Sequence, residues 1–176
     1  LSTASVASAA NATSNVGNYT LTASNQTLSA GLVSNYNISY ANGTLTINPA
    51  NLTITANCTS TQYGLGTNLT AVGYTSTGLV NNESIGSVTL ASNGSAATAN
   101  VGNYSIAASN ATSAGNFSTS NYNISYVTGN LEITQADITV TANDQSRTYG
   151  GANPTSGNVT LTGGRLYNGD TLSTAS

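Results

Sequence analysis

The chain contains a long internal repeat with a period of about 86 residues. The stretch SNYNISYANGTLTI returns as SNYNISYVTGNLEI, and residues 34–64 match residues 120–150 at 18 of 31 positions without a gap. The motif VGNY, which begins at Val16, recurs at Val101 with an offset of 85 residues. A period of this length predicts tandem structural units, each of which repeats one supersecondary arrangement.

The repeat divides the chain into three parts. We expect residues 1–48 to be the C-terminal part of one repeat, residues 50–134 to be a complete repeat, and residues 136–176 to be the N-terminal part of the next. Pro49 lies at the first boundary, where it would interrupt a strand ladder. Since a half-repeat cannot bury its apolar strands alone, we expect one complete domain with an open fragment at each end.

The chain begins and ends with the same pentapeptide, LSTAS, at residues 1–5 and 172–176. Both copies fall at the same phase of the repeat, which is typical of a window cut from a longer array. We expect the sequence that follows Ser5 to resume after Ser176 and to close the C-terminal fragment. Closure along one giant chain is the favoured form, and strand donation between separate subunits is the alternative.

The repeated stretch has the alternation of a β-hairpin. Apolar residues recur at every second position on both sides of Asn42-Gly43, a dipeptide that favours tight hairpin turns because both residues tolerate positive φ. We expect one face of the hairpin to be buried in both copies: Tyr36, Ile38, Leu45, Ile47, Tyr122, Ile124, Leu131 and Ile133. Asn37, Ser39 and Thr46 should point outward, because a slip of one residue would exchange the two faces.

The same alternation predicts further strands, and no segment shows helical spacing with caps. The candidate strands contain Tyr19/Leu21, Leu52/Ile54, Val88/Leu90, Tyr104/Ile106, Ile138/Val140 and Val159/Leu161. We therefore expect an all-β fold, in which tandem small β-sandwich or β-grasp-like modules of about 86 residues form a fibre. A β-solenoid would require a rung repeat of roughly 20 residues, and the long period contains none.

The near-absence of charge limits the possible partners. The chain has two basic residues, both of them Arg, and five acidic residues, Asp or Glu, which give a net charge of −3. Ser, Thr and Asn supply 78 of its 176 residues. Phosphate binding requires clustered cations, so this composition argues against nucleic acid and against a polybasic membrane anchor. No apolar run reaches the roughly 18 residues of a transmembrane helix, so we expect no membrane insertion.

Residues that perform catalysis or bind metals are scarce. The chain has no His, which removes the commonest proton shuttle and metal ligand. Its carboxylates are scattered between Glu83 and Asp170, and Cys58 has no neighbouring base to activate it. Asp144 and Asp170 are formal calcium ligands, but without a D-x-[DN]-x-D loop they are better interpreted as turn residues. We expect no enzyme activity, no catalytic residue, no metal site and no cofactor.

Sequons of the form N-x-[ST] are about twice as frequent as random placement would give. They occupy 15 of the 25 Asn residues: Asn11, Asn18, Asn25, Asn37, Asn42, Asn51, Asn57, Asn68, Asn82, Asn93, Asn103, Asn110, Asn116, Asn123 and Asn158. One interpretation is a heavily N-glycosylated surface filament. The alternative is strand alternation, which places polar residues at i and i+2 on one face of a strand.

The order and spacing of several motifs resemble a known repeat family. TANDQSRTYG (residues 141–150), NGD (168–170), VGNY (16–19) and the NYNISY stretch are similar to MBG/YDG-type tandem repeats of large bacterial surface adhesins, the filamentous-haemagglutinin-like exoproteins. The resemblance implies an extracellular, all-β, tandemly repeated module without catalysis. The middle repeat departs from the pattern, since Cys58 stands where Asp144 stands in the next copy.

Two functional hypotheses follow from these observations. The first is a structural repeat module of an extracellular surface filament or adhesin stalk that mediates attachment, with neighbouring repeats of the same fibre as its partners. The alternative is a carbohydrate- or receptor-binding module for host or cell-surface glycans, which would use exposed Tyr residues beside turns, such as Tyr63-Gly64 and Tyr149-Gly150. Buried Tyr rings would favour the first hypothesis.

Overall fold

The computed structural model describes residues 3–173 and confirms an all-β fold. The described residues form these strands: β1 (Thr3–Ser8), β2 (Gly17–Thr27), β3 (Gly43–Ile47), β4 (Ala50–Ala56), β5 (Thr59–Gln62), β6 (Tyr74–Thr77), β7 (Ser87–Ala91), β8 (Gly102–Thr112), β9 (Tyr122–Val127), β10 (Gly129–Thr134), β11 (Ile138–Ala142) and β12 (Val159–Gly164). The two LSTAS copies lie partly outside the described residues, so their shared phase stays an observation on the sequence.

The helices are single turns. The helix α1 (Leu69–Val72) begins after Asn68, whose side-chain oxygen accepts a hydrogen bond from the Thr70 backbone N–H at 3.1 Å. Two 3₁₀ turns occupy Val33–Asn35 and Thr119–Asn121, which are equivalent positions of consecutive repeats. Segments of three or four residues are too short to show a helical period in the sequence. None of the described helices is long and apolar enough to span a membrane.

Residues 50–134, hereafter the middle repeat, contribute the strands β4 to β10 to two sheets. The four-stranded sheet has the order β5-β10-β8-β7. Within it, β10 pairs antiparallel with β8 and parallel with β5, so that Leu131 lies opposite Tyr104 on one side and Thr59 on the other. The three-stranded sheet has the order β6-β4-β9.

The predicted hairpin is wrong, because β9 and β10 belong to different sheets. Only Thr128 separates the two strands, and neither Gly43 nor Gly129 has the positive φ that a tight hairpin turn would need. Gly129 is required for a close approach instead. A Cβ at this position would lie 2.6 Å from the Ala56 carbonyl oxygen and 2.5 Å from that of Asn57.

Residues 3–48 form the N-terminal segment, and residues 136–173 form the C-terminal segment. The N-terminal segment contains an antiparallel sheet of order β1-β2-β3. The C-terminal segment contains the antiparallel pair β11-β12. By repeat offset, β2 and β3 correspond to β8 and β10, whereas β11 and β12 correspond to β4 and β6.

The buried core residues all belong to the middle repeat among the residues that the structure describes. They are Leu52, Ile54, Ala56, Ile106, Ala108, Phe117, Tyr122, Leu131 and Ile133. The predicted burial of Tyr122, Leu131 and Ile133 is confirmed, and Ile124 is half-buried. The alternating burial along β8 and β10 follows from the period of two in a strand.

The first copy of the repeated stretch does not behave as predicted. Residues 36–41 form no strand, and Tyr36 is 65% exposed, whereas its equivalent Tyr122 is 6% exposed. Leu45 is also exposed, while Ile38 and Ile47 are half-buried. In the middle repeat β9 lies beside β4, and the N-terminal segment contains no equivalent of β4. Asn37, Ser39 and Thr46 are exposed, as expected.

Two compact units make up the described chain. The first contains the described residues up to Ile54, together with Ser76–Val88 and Asn110–Ser125. The second contains Thr55–Thr75, Thr89–Ser109 and the described residues from Tyr126 onward. The division of the sequence into 1–48, 50–134 and 136–176 stays a prediction.

Candidate functional site

A tight turn recurs near the middle of consecutive repeats. Asn81 and Asn82 have φ of 54°, and the equivalent Asn168 and Gly169 have φ of 53° and 82°. The turns are closed by backbone hydrogen bonds from Glu83 N–H to the Val80 carbonyl at 3.0 Å and from Asp170 N–H to the Tyr167 carbonyl at 2.8 Å. Two consecutive positive φ values fit a type I′ turn, which explains the preference for Asn and Gly.

Each of these turns contacts the repeat that precedes it in the sequence. Asn81 Nδ2 donates a hydrogen bond to the Ala12 carbonyl at 3.3 Å, and Asn168 Nδ2 donates one to the Ala97 carbonyl at 3.0 Å. Ala12 and Ala97 occupy the same position of consecutive repeats, five residues before the Gly of VGNY. The same contact is therefore made twice. We call the contact at Ala12 the N-terminal junction and the contact at Ala97 the C-terminal junction.

The N-terminal junction has a second set of hydrogen bonds. Asn121 Oδ1 accepts from the Val16 backbone N–H at 3.0 Å, and Asn121 Nδ2 donates to Asn15 Oδ1 at 2.9 Å. Asn121 thus binds a backbone donor and a side-chain acceptor of the preceding repeat at once. Together with the bond from Asn81 to Ala12, these two bonds attach the loop before VGNY to two different parts of the following repeat.

The Tyr122 side chain is hydrogen-bonded to both ends of the turn at the N-terminal junction. Its hydroxyl donates to Glu83 Oε2 at 2.8 Å and accepts from the Val80 backbone N–H at 3.1 Å. Its ring lies 5.3 Å from the ring of Phe117, centroid to centroid. Burial raises the pKa of the Tyr122 phenol, and the neighbouring Glu83 carboxylate raises it further, while the bond from Val80 opposes the increase.

The C-terminal junction contains an aromatic cleft of about 460 Å³. The Tyr63 hydroxyl donates to Asp170 Oδ2 at 3.1 Å, and the rings of Tyr63 and Tyr167 meet edge to face with centroids 6.2 Å apart. The Arg165 guanidinium carbon lies 4.5 Å from the Tyr167 ring centroid, within the range of a cation–π contact. Gly64, with φ of +90°, leaves room for the Tyr167 ring, which a Cβ would clash with.

The predicted sequons are at the surface with one exception. Fourteen of the fifteen Asn residues are exposed, and Asn57 is half-buried with its Nδ2 donating to the Val72 carbonyl at 3.0 Å. The nitrogen that a glycan would occupy is thus engaged at Asn57. Asn68 uses its side-chain oxygen to cap α1.

The other candidate residues are not brought together. Glu83 and Asp170 lie at different junctions, each bonded to a Tyr hydroxyl, and Asp144 is exposed. Cys58 is exposed, and its sulfur accepts from the Asn130 backbone N–H at 3.3 Å. No three His, Cys, Asp or Glu side chains of residues 3–173 are grouped as metal ligands would be.

The Tyr-Gly pairs behave differently in the two repeats. Tyr63 is half-buried in the aromatic cleft, whereas Tyr149 is fully exposed. The sequence analysis assigns no role to the junction residues Asn81 and Asn121, and it includes Asn168 only as part of the NGD motif. For Asn81 and Asn168 the sequence signal is an Asn followed two positions later by an acidic residue, and the equivalence of the two needs one inserted residue between the repeats. Asn121 is followed two positions later by Asn123 and has no such signal.

A family model for the MBG domain of YGX type matches residues 1–46, 52–132 and 138–176. The chain belongs to the MBG domain family. MBG domains are commonly found in surface proteins and adhesin-like repeats, and the family is a structural module rather than a known enzyme family. Comparison with curated proteins and comparison with solved structures gave no match. The match to an MBG domain confirms the domain type that the motifs resembled, and the adhesin context is taken up below as a proposal.

Proposed function

We propose that this chain is a tandem-repeat segment of an extracellular surface filament or adhesin stalk, whose repeats mediate attachment by carrying a binding region away from the cell. The observation that carries the proposal is the repeated junction. Asn81 bonds to Ala12 and Asn168 bonds to Ala97, so one contact joins neighbouring repeats at two places. A contact that recurs with the sequence period is what a repeat array needs in order to propagate one geometry along its length.

The chemistry of the surface also supports an extracellular array. The charge is low, and the exposed side chains are mostly Ser, Thr and Asn, which keep the chain hydrated without Lys-rich protection of strand edges. Neighbouring repeats and attached sugars are two ways to cover such edges. The MBG family, typical of secreted surface proteins, agrees with this location.

Immunogold microscopy on intact source cells tests the location. An antibody raised against the purified 176-residue chain should label fibres at the cell surface, and protease treatment of whole cells should remove the label. An antibody against a cytosolic protein serves as the control, and should label permeabilised cells alone. Label that appears only after permeabilisation would contradict the proposal.

A replacement experiment separates a stalk from a binding module. The region that encodes this chain is exchanged for unrelated β-modules of the same total length, and cell attachment is measured. A stalk tolerates the exchange, whereas deletion of the region without replacement reduces attachment. If the replaced protein attaches as poorly as the deletion, then the repeats themselves bind the target.

The aromatic cleft at the C-terminal junction favours glycan binding as a second candidate function. Tyr63, Tyr167, Arg165 and Asp170 place rings, a planar cation and a carboxylate around one cleft. Glycan-array binding by the purified chain tests this candidate, with Tyr167→Ala as the variant and Tyr149→Ala as the control. Equal signals from both variants, or no signal from the unaltered chain, would exclude the cleft.

We also propose that several exposed sequons carry glycans in the native protein. The fourteen exposed Asn residues are open to modification, and Asn57 is the position expected to stay bare because its amide is engaged. Intact-mass measurement of native material, followed by peptide mapping, tests this expectation. A mass equal to that of the bare polypeptide would contradict it.

A further inference from the structure

The recurring VGNY motif lies beside the contacts that both junctions make. Its Gly begins β2 in the N-terminal segment and β8 in the middle repeat. A loop precedes each Gly, and we call residues 11–16 and residues 96–101 the VGNY loops. Each loop accepts a hydrogen bond from the following repeat, at the carbonyl of Ala12 or of Ala97. The motif therefore marks the surface that one repeat presents to the next.

Both VGNY loops are closed in the same way. A backbone hydrogen bond from the Ser14 N–H to the Asn11 carbonyl, at 3.1 Å, closes a turn in the first loop, and the equivalent bond joins Ala99 to Ala96 at 3.0 Å. The Gly that follows each loop has φ of 152°, a conformation that residues with a Cβ rarely adopt. Two loops with different side chains at their turns thus share one backbone arrangement.

A tyrosine hydroxyl holds a peptide group near the end of each loop. The Tyr19 hydroxyl donates to the Asn15 carbonyl at 2.7 Å, and the Tyr104 hydroxyl donates to the Asn100 carbonyl at 2.9 Å. Each bond joins residues of a single repeat, and the following repeat contributes no atom to it. The Tyr of VGNY therefore links the strand that the motif begins to the loop that precedes it.

The Asn15 carbonyl and the Val16 N–H belong to the same peptide group. In a planar trans peptide the C=O and N–H bonds point in opposite directions. Tyr19 holds the carbonyl end, and the N–H end donates to Asn121 Oδ1 of the following repeat at 3.0 Å. A hydrogen bond at the carbonyl also polarises the peptide and strengthens its N–H as a donor. One side chain thus aims a backbone donor by holding the opposite end of the peptide.

We propose that VGNY is a docking motif for the following repeat, in which Tyr19 is the positioning residue that aims the Val16 N–H at Asn121. Asn15 Oδ1 and the Val16 N–H present an acceptor and a donor to the same side chain. A carboxamide satisfies both, because it carries one donor group and one acceptor group. The partner that fits this surface is therefore an Asn side chain of the neighbouring repeat.

The inference deepens the proposed array function, and it rests on that proposal only for the role of the junction in a longer array. Its physical content concerns hydrogen bonds within the purified 176-residue chain. The two therefore fail separately, because immunogold microscopy decides the surface location and the measurements below decide the docking motif.

Hydrogen exchange, measured by NMR on the purified chain, tests the role of Tyr19. Tyr19→Phe removes one oxygen, so the exchange rate of the Val16 amide should rise by about three- to tenfold, the factor expected for one lost hydrogen bond. Tyr104→Phe is the matched control, because Tyr104 makes the same bond in the middle repeat. An unchanged Val16 rate in Tyr19→Phe, or an equal rise in both variants, would overturn the proposal.

A positioning role must be separated from general support of the strand β2. The backbone amides that join β2 to β3 report the stability of that sheet in the same spectra. In Tyr19→Phe these amides should exchange at the unaltered rate while Val16 exchanges faster. Equal acceleration of Val16 and of the β2–β3 amides would mean that Tyr19 supports the strand, and would exclude a positioning role.

A double-mutant cycle tests whether Tyr19 acts through the contact with Asn121. Asn121→Ala removes the acceptor of the Val16 N–H, so this amide should exchange faster in the variant. Addition of Tyr19→Phe to Asn121→Ala should then raise the Val16 rate by less than about twofold, because the contact that Tyr19 orients is already absent. The same factor in both backgrounds would show that the two side chains act independently, against the proposal.

The turns of the two loops test the motif as a repeated device. Tyr19→Phe should accelerate exchange of the Ser14 amide and leave the Ala99 amide unchanged, whereas Tyr104→Phe should do the reverse. Unchanged amide resonances from the core of the middle repeat verify that each variant is folded. If Tyr104→Phe leaves Ala99 unchanged, then the Tyr hydroxyl does not order the loop, and VGNY is not a docking motif.

Discussion

The hydroxyl of Tyr122 donates a 2.8 Å hydrogen bond to the carboxylate of Glu83, 39 residues earlier in the chain. The same hydroxyl accepts a bond from the Val80 backbone, so one phenol oxygen holds both ends of the turn that forms the N-terminal junction. This relationship makes Tyr122 more than a core residue, because it couples the core of the middle repeat to a contact with the preceding repeat.

Tyr122→Phe should lower the free energy of unfolding by about 1–3 kcal/mol at neutral pH, because the ring stays while its bonds to a charged acceptor and a backbone donor are lost. Urea denaturation measures the change. Tyr36→Phe, at the equivalent exposed position, is the control and should change the free energy of unfolding by less than about 0.5 kcal/mol. Equal effects from the two variants would show that the bonds to Glu83 and Val80 contribute nothing.

The raised pKa of Tyr122 predicts a loss of stability in alkali. Its folded pKa lies above the unfolded value of about 10, so the native state holds the phenol proton more tightly than the unfolded chain. The contribution is complete below this unfolded value and is lost as the pH rises through the folded value. The difference in stability between the unaltered protein and Tyr122→Phe should therefore shrink above pH 10. A difference that stays constant up to pH 12 would contradict the shift.

Leu131 and Leu45 give a matched test of the core, since they are the same residue type at equivalent positions of two repeats. Leu131→Ala should lower the free energy of unfolding of the middle repeat by about 2–5 kcal/mol, because a fully buried side chain leaves a cavity. Leu45→Ala should cost less than about 1 kcal/mol, because Leu45 is exposed. Chemical denaturation of both variants checks the expectation, and equal costs would contradict the assigned register.

Gly64 and Gly150 give a second matched pair. Both have positive φ, of +90° and +83°, so both pay a similar backbone cost when replaced by Ala. A Cβ at Gly64 meets the ring of Tyr167, whereas a Cβ at Gly150 meets open space. Gly64→Ala should therefore abolish the nuclear Overhauser effects between the rings of Tyr63 and Tyr167, and Gly150→Ala should preserve them. Persistence of these signals in Gly64→Ala would mean that the cleft is wider than described.

The strands could be predicted from the sequence because alternation is a local property of the chain. The pairs Leu52/Ile54, Tyr104/Ile106 and Ile138/Val140 all lie in strands, since every second residue of a pleated segment faces the same side. β1, β5 and β6 were not predicted. The sequence of β5, TSTQ, is polar throughout, and β1 (TASVAS) and β6 (YTST) each contain a single large apolar side chain, so none of the three shows a clear apolar alternation.

The pairing of the strands could not be predicted in the same way. Asn-Gly and Thr-Gly suggest a turn, yet Gly129 is needed because the chain passes close to the carbonyls of Ala56 and Asn57. That requirement comes from residues about 70 positions away, which a local pattern does not reveal. Burial of Tyr36 likewise depends on a partner strand that its own sequence does not encode.

The hydrogen-bond partners of the junction Asn residues could not be predicted from the sequence, because those partners are backbone carbonyls. Asn81 and Asn168 bond to backbone carbonyls, and a carbonyl acceptor has no side-chain signature at Ala12 or Ala97. The sequence shows only the NGD motif at residues 168–170, which favours a turn because Asn and Gly tolerate positive φ. Its partner became apparent only when the fold brought the two loops together.

The contact between Arg165 and Tyr167 has a consequence for the cleavage of the chain by proteases. Arg165 and Arg147 are the only basic residues of the chain, so a protease that cleaves after Lys or Arg finds both of its positions in the C-terminal segment. One of them is stacked on an aromatic ring, and the other donates a 2.8 Å hydrogen bond to Asn153. Trypsin-like enzymes therefore find both of their cleavage sites in the C-terminal segment and none in the middle repeat.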